Sequence, residues 1–336
     1  MNPVQSKFVS NKNLKTIKPD WPGTPVGNNG RFINHEFPFS HNFFKLLKWQ
    51  LGRDPQAEEK RHDTQRLEVL DGSEFLSSES EGILWLGHAS FFIRLNGKSL
   101  LLDPVFGQPR FLKRLVHIPS PINQLTKLDA ILVSHDHRDH ADRSTIKALT
   151  RKFPNAKLLA GLGMDGLLNN WIMPANEVET AGWYQEFSAY EDLKIAFVPV
   201  RHWSRRSLKD TNKRLWGGFM IESPDTTIYF SGDTGYGGHF KELAKVFPKI
   251  DYFIVGIGAY SPQFVMKEIH QTPEEALQGF LDSGAKHLIP MHYGTFDLTN
   301  EPPNEPLRLL DQKAEQLGVR DKIRVLKINE AAVLLD

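Results

Sequence analysis

The most constraining feature of the sequence is the run SHDHRDH at residues 134–140, which directly follows the apolar segment ILV at residues 131–133. The apolar segment predicts a buried strand, and the run predicts a tight loop at its C-terminal end. Three imidazoles in so short a loop are hard to explain in a solvent-exposed segment, whereas imidazole and carboxylate are preferred zinc ligands. The chain must therefore fold so that other ligand-type side chains can join this loop.

The spacing within the run divides its ligand-type side chains into two pairs. If the loop starts extended, His135 and His137 point the same way, whereas Asp139 and His140 lie beyond the bend. Four such side chains on one loop can reach two neighbouring ions, because imidazole nitrogen and carboxylate oxygen bind zinc at similar distances. We therefore expect one pair of ligands for each of two metal ions.

Three more ligand-type residues follow apolar segments further along the chain. His202 comes soon after AFVPV, Asp233 after TIYFSG and His292 after HLIPM. Taken alone, His202 fits packing beside a tryptophan, Asp233 fits a turn or a helix N-cap, and His292 fits a hydrogen-bonded core histidine. Their occurrence in this order, each just past a strand-like segment, favours a joint role in the metal site.

From Gly82 onward, short apolar segments alternate with segments of helical pattern, which predicts a layered α/β domain. Helices are expected over residues 144–153, 239–247 and 273–283. The last has Thr272 as N-cap, Pro273 at the first helical position and Glu275 three residues after the cap, which is typical of a helix N-terminus. The strand-like segments read ILWLGHASFFIRL, SLLLDPVF, LDAILVSH, AKLLAG, LKIAFVPV, GGFMIES, TTIYFSGDTG, YFIVGIG, AKHLIPMH and IRVLKI.

Residues 1–75 differ in texture from the rest and predict an N-terminal extension that packs on a catalytic domain at residues 76–336. The extension contains one dense apolar cluster, with Lys45 and Lys48 beside it. A helix over this cluster has two interpretations, docking on lipid or packing on the core, and we favour packing because surface helices normally bury such a stripe. The cluster comprises Phe37, Phe39, Phe43, Phe44, Leu46, Leu47, Trp49 and Leu51.

Composition excludes several kinds of site and partner. The chain has no cysteine, which rules out disulfides, thiolate nucleophiles and cysteine-ligated zinc. Its 41 basic and 40 acidic residues give a formal net charge of +1, so nothing in the balance calls for nucleic acid. Residues 1–18 are polar and lack the apolar stretch of a signal peptide, which predicts a cytoplasmic protein or one peripherally associated with a membrane.

The ordered set of motifs resembles the metallo-β-lactamase superfamily, whose pattern is an HxHxDH loop followed by a histidine, a bridging aspartate and a final histidine. The resemblance implies an α/β fold of the αββα sandwich type and two Zn²⁺ ions per chain, with a hydroxide between them. The ligands that it implies are His135, His137 and His202 for the first zinc, Asp139, His140 and His292 for the second, and Asp233 as the bridge.

Several segments resemble one branch of that superfamily, the N-acylphosphatidylethanolamine-hydrolysing phospholipase D family and its bacterial relatives. The similarity spans most of the chain, and its most telling segment is MHYGTF at residues 291–296. The other segments that carry it are LLKW at residues 46–49, WLGHAS at 85–90, LLDPVF at 101–106, SGDTGY at 231–236 and HQTPEEA at 270–276.

Further polar residues are candidates for supporting roles. Asp103, which follows a strand, is the first choice for fixing the tautomer of a ligand imidazole. His88 could do the same or could satisfy local backbone groups, and Asp136 could orient a neighbour or cap the loop. His270 could protonate a leaving group, bind phosphate or cap the helix that follows it. The candidate catalytic residues are Asp233, Asp139 and His270.

Two groups of cationic residues are candidates for contacts with a phosphate or an anionic lipid surface. The alternative interpretation of each group is a loop without such a contact. The groups are Arg201, Arg205 and Arg206 beside His202, and Arg110, Lys113 and Arg114 interspersed with Phe111, Leu112 and Leu115.

The branch resemblance implies a zinc-dependent phosphodiesterase that hydrolyses N-acylphosphatidylethanolamine-like phospholipids to phosphatidate and an N-acylethanolamine through a metal-bridged hydroxide. One alternative is a lactonase or cyclic phosphodiester hydrolase with a small soluble substrate. A non-catalytic binding protein and a di-iron oxidoreductase are alternatives from other classes. The expected partners are a phospholipid or other phosphodiester and a peripheral membrane surface, and a homodimer stays an open alternative.

Overall fold

The computed structural model describes residues 7–36 and 43–334, which form short strands, α-helices and two 3-10 turns. The strands are β1 (Lys7–Val9), β2 (Lys15–Thr16), β3 (Thr24–Val26), β4 (Gly82–Trp85), β5 (Phe91–Leu95), β6 (Lys98–Leu102), β7 (Lys113–Arg114), β8 (Ala130–Val133), β9 (Lys157–Gly161), β10 (Val178–Ala181), β11 (Gln185–Glu186), β12 (Lys194–Val198), β13 (Gly218–Glu222), β14 (Thr227–Phe230), β15 (Tyr252–Gly256), β16 (His287–Met291), β17 (Phe296–Asp297) and β18 (Ala331–Val333). The α-helices are α1 (Phe43–Leu51), α2 (Ala57–His62), α3 (Ser73–Ser77), α4 (Arg143–Lys152), α5 (Asp165–Leu168), α6 (His239–Val246), α7 (Gln263–Met266), α8 (Pro273–Ser283) and α9 (Glu305–Gln316).

Two seven-stranded mixed sheets form the centre of the described chain. The first has the strand order β10-β9-β8-β6-β5-β4-β18, and the second has β16-β15-β14-β13-β12-β11-β2. Strands β6, β8, β9 and β10 run parallel in the first sheet, as do β14, β15 and β16 in the second. Parallel strands are normally covered on both faces, which accounts for the continuous burial of β8.

Alternate residues of the first sheet pack on its opposite faces. Ile83 and Trp85 of β4 belong to a core shared with the second sheet, whereas Leu84 packs on the other face with Ile146 and Leu149 of α4. This period of two is that of a pleated strand. Residues of α6 and α8 join the shared core from the second sheet's side. The layers therefore follow the order helix, sheet, sheet, helix, which is the expected αββα sandwich.

The segment before residue 76 contributes to the same architecture. Strand β2 pairs with β11 at the edge of the second sheet, and Leu14, Val26 and Phe32 are buried in the shared core. The division of the chain at residue 75 stays a prediction. The apolar cluster members Phe37 and Phe39 lie outside the described residues.

Helix α1 turns part of its apolar side to solvent. Phe44 and Leu51 are each 79% exposed, and Trp49 attaches the helix by donating its indole Nε1–H to Asn300 Oδ1 at 2.7 Å. The favoured expectation that this side packs on the core is wrong for Phe44 and Leu51, because α1 rests against α7 and the loop around Asn300. Among the described residues, every helix is too short or too polar to cross a bilayer.

The three helix predictions agree with the structure. Helix α8 has the predicted bounds, and its cap is reciprocal: the Thr272 hydroxyl accepts from the Glu275 backbone N–H, and the Glu275 carboxylate accepts from the Thr272 N–H. Helices α4 and α6 lie within one residue of the predicted bounds. Local capping chemistry was sufficient to locate these helices.

The segment IRVLKI at residues 323–328 is not a strand, contrary to the prediction. Its end residues form only isolated bridges, Ile323 with Leu288 and Ile328 with Val69. Ile323 and Ile328 are nevertheless buried, so the apolar alternation arises from packing. The next strand along the chain is β18, which pairs with β4.

Replacing Thr272 with alanine is expected to lower the free energy of unfolding by about 1 kcal/mol, because the first turn of α8 loses a side-chain acceptor. Urea denaturation of the metal-loaded protein measures the change. Thr272→Ser retains the hydroxyl and serves as the matched control. Equal stability of the alanine and serine variants would contradict the capping role.

Candidate metal centre

The ligand-type residues meet at one edge, where strands of both sheets end. The loop at residues 134–140 follows β8, His202 follows β12, Asp233 follows β14, and His292 directly follows β16. The carboxyl ends of parallel strands meet at one edge, so residues distant in sequence become neighbours there. The structure brings all seven predicted ligand-type residues together at this edge.

The first cluster consists of three imidazoles whose nitrogens converge. His137 Nδ1 lies 2.9 Å from His135 Nε2 and 3.2 Å from His202 Nε2. A tetrahedral ion with metal–nitrogen distances of ~2.0–2.1 Å requires ligand nitrogens about 3.3 Å apart. Asp233 Oδ2 completes the group, at 3.8 Å from His135 Nε2 and 3.7 Å from His202 Nε2. These four side chains can hold one metal ion.

The second cluster is centred on the Asp139 carboxylate. Its Oδ2 lies 3.1 Å from His88 Nε2, 3.8 Å from His140 Nε2 and 3.7 Å from His292 Nε2. Ligand atoms of these four residues all lie within 4.8 Å of one another. Asp139 and His140 thus fall in a different cluster from His135 and His137.

Asp233 lies between the clusters. Besides the first cluster, its Oδ2 approaches His140 Nε2 at 3.1 Å and its Oδ1 approaches His292 Nε2 at 3.0 Å. Burial opposes ionisation of Asp233, but the surrounding imidazoles of His140 and His292 outweigh it and hold the pKa well below its usual value. An ionised carboxylate with two oxygens in this position can bind both metal ions.

Buried atoms without hydrogen bonds test whether the site fits metal ions. Within the described residues, His140 Nε2, His292 Nε2 and Asp233 Oδ1 are buried, and none of their close contacts has the geometry of a hydrogen bond. Each such atom would cost about 1–3 kcal/mol if nothing satisfied it. Imidazole nitrogen with carboxylate oxygen is a donor set that binds zinc and also iron. The residues therefore fit a pair of divalent transition-metal ions.

Two ligand imidazoles, those of His140 and His202, are oriented by contacts to their Nδ1 atoms. Asp103 Oδ2 lies 2.7 Å from His140 Nδ1 and also accepts from the Ser134 hydroxyl at 2.5 Å. His202 Nδ1 lies 3.0 Å from the Ile269 carbonyl oxygen. Both contacts leave Nε2 free to bind metal, as carboxylates and carbonyls behind metal-bound histidines do. The expectation for Asp103 agrees with this geometry.

Several residues at this edge have strained backbone. The φ angles of His88, Asp103 and His292 are +53°, +39° and +65°, a region that L-residues seldom occupy. Gly232, just before Asp233, has φ +57°, and a Cβ there would lie 2.7 Å from Ser134 Cβ. Such strain persists only where the surrounding structure enforces it, and it concentrates at functional sites.

The His88 imidazole faces the site. Its backbone carbonyl accepts from Trp85 Nε1–H at 2.9 Å and from the His292 N–H at 3.1 Å, and its N–H donates to Thr295 Oγ1. The imidazole itself contacts Asp139 and is not used for local backbone groups. Burial and the neighbouring His292 lower the pKa of His88 to about 3, so the ring is neutral at pH 7.

Asp136 holds the loop at residues 134–140, here called the metal-ligand loop, in its conformation. Its buried carboxylate pairs with Arg214 Nε at 2.6 Å and accepts from the Arg205 N–H at 2.9 Å. Arg206 donates to the carbonyls of Asp136 and Ala141, both at 2.8 Å. Asp136 therefore holds the loop through Arg214 and Arg205, and Arg206 holds it through two backbone carbonyls.

His270 lies beside the Asp233 carboxylate, with its Nε2 4.0 Å from Oδ2. Burial lowers its pKa to about 4, despite the opposing charge of Asp233, so its imidazole is neutral at pH 7. The following helix is capped by Thr272, so capping does not account for His270. One of its ring nitrogens also forms a group with ligand atoms of Asp233 and His292 that lie within 4.8 Å of one another.

Two important supports have no signal in the sequence. Arg214 lies 78 residues from Asp136, and Asn34 lies 168 residues from His202, whose carbonyl and N–H it binds with its side-chain amide. Neither residue belongs to a local motif. Such long-range pairings follow from the fold, and only covariation among relatives would reveal them in advance.

Comparisons with known proteins agree with this geometry. A family model for the β-lactamase superfamily domain matches residues 98–293. An uncharacterized protein of Mycobacterium tuberculosis is 30% identical over 310 residues, covering 87% of this chain and 80% of that protein. The N-acyl-phosphatidylethanolamine-hydrolyzing phospholipase D 1 of Caenorhabditis elegans is 29% identical over 299 residues, covering 84% and 83%. A solved metallo hydrolase of Ignicoccus hospitalis shares the fold, with a TM-score of 0.57, 21% identity and coverage of 74% and 96%.

Replacing Asp103 with asparagine is expected to lower metal affinity about 10–100-fold, because the imidazole of His140 loses the carboxylate that orients it. Competition with a chelator, followed by metal analysis, measures the affinity. Asp71→Asn, at an exposed carboxylate, is the matched control. Affinity unchanged in a correctly folded Asp103 variant would disprove the supporting role.

Proposed function

This chain belongs to the β-lactamase superfamily of metal-dependent hydrolases, and we propose that it is a two-zinc phosphodiesterase that cleaves N-acylphosphatidylethanolamine-like phospholipids. The observation that carries the proposal is the pair of buried donor clusters that share the Asp233 carboxylate. The substrate class is supported by the similarity, over most of the chain, to a protein named for this hydrolysis.

The proposed ligands follow the two clusters. Asp233 belongs to both ligand sets, and His88 stays behind Asp139 as its hydrogen-bond partner. Two zinc ions, when bound, would lower the pKa of water towards 7 and polarise the phosphoryl group. The proposed ligands are His135, His137 and His202 for one ion, Asp139, His140 and His292 for the other, and Asp233 for both.

The reaction that fits this site is hydrolysis at phosphorus. Water supplies the oxygen that forms the new bond to phosphorus, and the bond from phosphorus to the ethanolamine oxygen breaks. The departing oxygen takes a proton, which gives an N-acylethanolamine and phosphatidate. The carboxylates of Asp233 and Asp139 face the ligand imidazoles and would hold the metal ions beside the phosphoryl group. No protein nucleophile is required.

His270 has a separate role in this proposal. It lies beside Asp233 but outside both ligand clusters assigned above. As a neutral imidazole it donates an N–H hydrogen bond to a phosphoryl oxygen, or it accepts the proton that the attacking water loses and passes that proton to the departing oxygen. This role differs from metal binding, because losing the imidazole would slow the reaction without emptying the site.

Contact with a membrane surface belongs to the same proposal. Phe44 and Leu51 of α1 are largely exposed, Phe264 of α7 is 44% exposed, and the Lys48 ammonium lies 5.5 Å from the Phe264 ring centroid. Exposed apolar side chains beside cations are typical of helices that lie on anionic lipid. A phosphodiesterase with a lipid substrate requires such access.

Replacing Asp233 with asparagine is expected to abolish cleavage of N-acylphosphatidylethanolamine, with a loss above about 100-fold, because both ions lose a charged ligand. Mass spectrometry of the released N-acylethanolamine, with zinc content measured in parallel, tests this. Asp71→Asn is again the control. Phosphatidylethanolamine without the N-acyl group and a lactone are assayed as alternative substrates. Turnover of the lactone alone would contradict the phospholipid proposal and indicate a small soluble substrate.

Replacing His270 with alanine is expected to lower kcat about 10²–10⁴-fold at unchanged zinc content, because proton transfer or phosphoryl contact is lost. His117→Ala, at an exposed histidine, is the control. Rate and metal content are measured on the same preparations. Loss of zinc from the His270 variant would instead make His270 a ligand.

A further inference from the structure

One cavity, here called the basic cavity, has Arg138 of the metal-ligand loop in its wall. It has a volume of about 350 Å³. Three separate parts of the chain supply its charged residues: the loop after β6, the loop and helix α4 after β8, and the loop after β12. Its charged residues are Arg110, Arg138, Asp142, Arg143, Lys147 and Arg206.

The lining of the basic cavity contains five cationic side chains and one carboxylate, that of Asp142. The Asp142 carboxylate already accepts three hydrogen bonds from its own helix. Asp142 Oδ2 accepts from the Thr145 N–H at 2.9 Å and from the hydroxyls of Ser144 and Thr145, both at 2.6 Å, as the N-cap of α4. Across the described ranges, the cationic groups of Arg138, Arg143 and Lys147 have no ion pair. The basic cavity therefore carries an excess of positive charge that Asp142 and the nearby Asp136 compensate only in part.

Arg206 is held in place before any ligand arrives. Its guanidinium donates to the carbonyls of Asp136 and Ala141 and lies 4.7 Å from the Trp171 ring centroid. Burial and the neighbouring guanidinium of Arg138 lower its pKa to about 10. Two guanidinium groups close enough to repel each other are stabilised by an anion placed between them.

We propose that the basic cavity binds a phosphate group, either a phosphate monoester or inorganic phosphate, at a site distinct from the metal centre. Arginine presents planar donors that match phosphate oxygens, and lysine supplies a point charge. The volume exceeds that of a phosphate group and falls within the usual range of ligand pockets, so part of a larger ligand fits as well.

Exposed apolar residues beside the cavity favour a lipid as the source of the phosphate. Phe111, next to Arg110, is 85% exposed, and Leu208, two residues beyond Arg206, is 91% exposed. Cations mixed with exposed apolar side chains suit the headgroup and acyl boundary of an anionic lipid. Phosphatidate carries the required phosphate monoester, whereas phosphatidylcholine carries no net charge.

The test uses metal-loaded protein and measures binding without turnover. Calorimetric titrations with inorganic phosphate and with soluble dihexanoyl phosphatidate give dissociation constants, and co-sedimentation compares phosphatidylcholine vesicles with and without phosphatidate. The test variant is Arg143→Ala/Lys147→Ala, and the control is Arg151→Ala, which removes a cation of the same helix outside the cavity.

The dissociation constant is expected to rise about tenfold or more in the double variant, because charge-assisted hydrogen bonds to phosphate are lost, and to stay unchanged in the control. An effect on inorganic phosphate supports the site with free phosphate as a sufficient ligand. An effect on phosphatidate alone supports it with the lipid as the source. Phosphate bound only at the metal ions would be insensitive to the double variant, so unchanged affinity for both ligands overturns the proposal, as does an equal loss in the control.

Discussion

The rest of this structure depends on the burial of several ionisable side chains within a few ångströms of one another. His135, His140, His202, His292 and Asp233 are each at most 3% exposed. Such groups are stable in a protein interior only when they are paired or bind metal. Asp233 offsets part of this cost by facing imidazoles of both clusters, and metal ions would satisfy the remaining nitrogens. The meeting of strand ends from two sheets makes this concentration of donors possible.

Holding these donors requires support from outside the ligand loops. Asp103 fixes His140, the Ile269 carbonyl fixes His202, and Arg214 neutralises the buried Asp136. The positive φ angles at this edge are conformational costs that the surrounding packing offsets. The backbone strain and the hydrogen bonds thus serve the same end: ligand atoms are oriented before metal arrives, so little ordering remains at binding.

Much of the fold and of the site could be predicted because its signals are local. The SHDHRDH run, the polar residues just after apolar strands and the cap of α8 are each recognisable within a few consecutive residues. The Asp136–Arg214 pair and the Asn34–His202 contact could not be predicted, since each joins residues far apart in the chain. The exposure of Phe44 was not predicted, because the sequence pattern of an apolar helix face is the same whether that face packs on a core or is exposed to solvent.

The metal centre and the basic cavity share residues of one short loop. His137 and Asp139 belong to the donor clusters, and Arg138 between them lines the basic cavity. Arg206 donates to the carbonyl of Asp136 in the same loop, so an anion held by Arg138 and Arg206 would be linked through Arg206 to the backbone that positions the ligands. Substituting Arg138 would disturb both sites at once. Arg143 and Lys147 lie on α4, beyond the loop, and can be changed without altering a metal ligand, which is why phosphate binding can be separated experimentally from the chemistry at the metal ions.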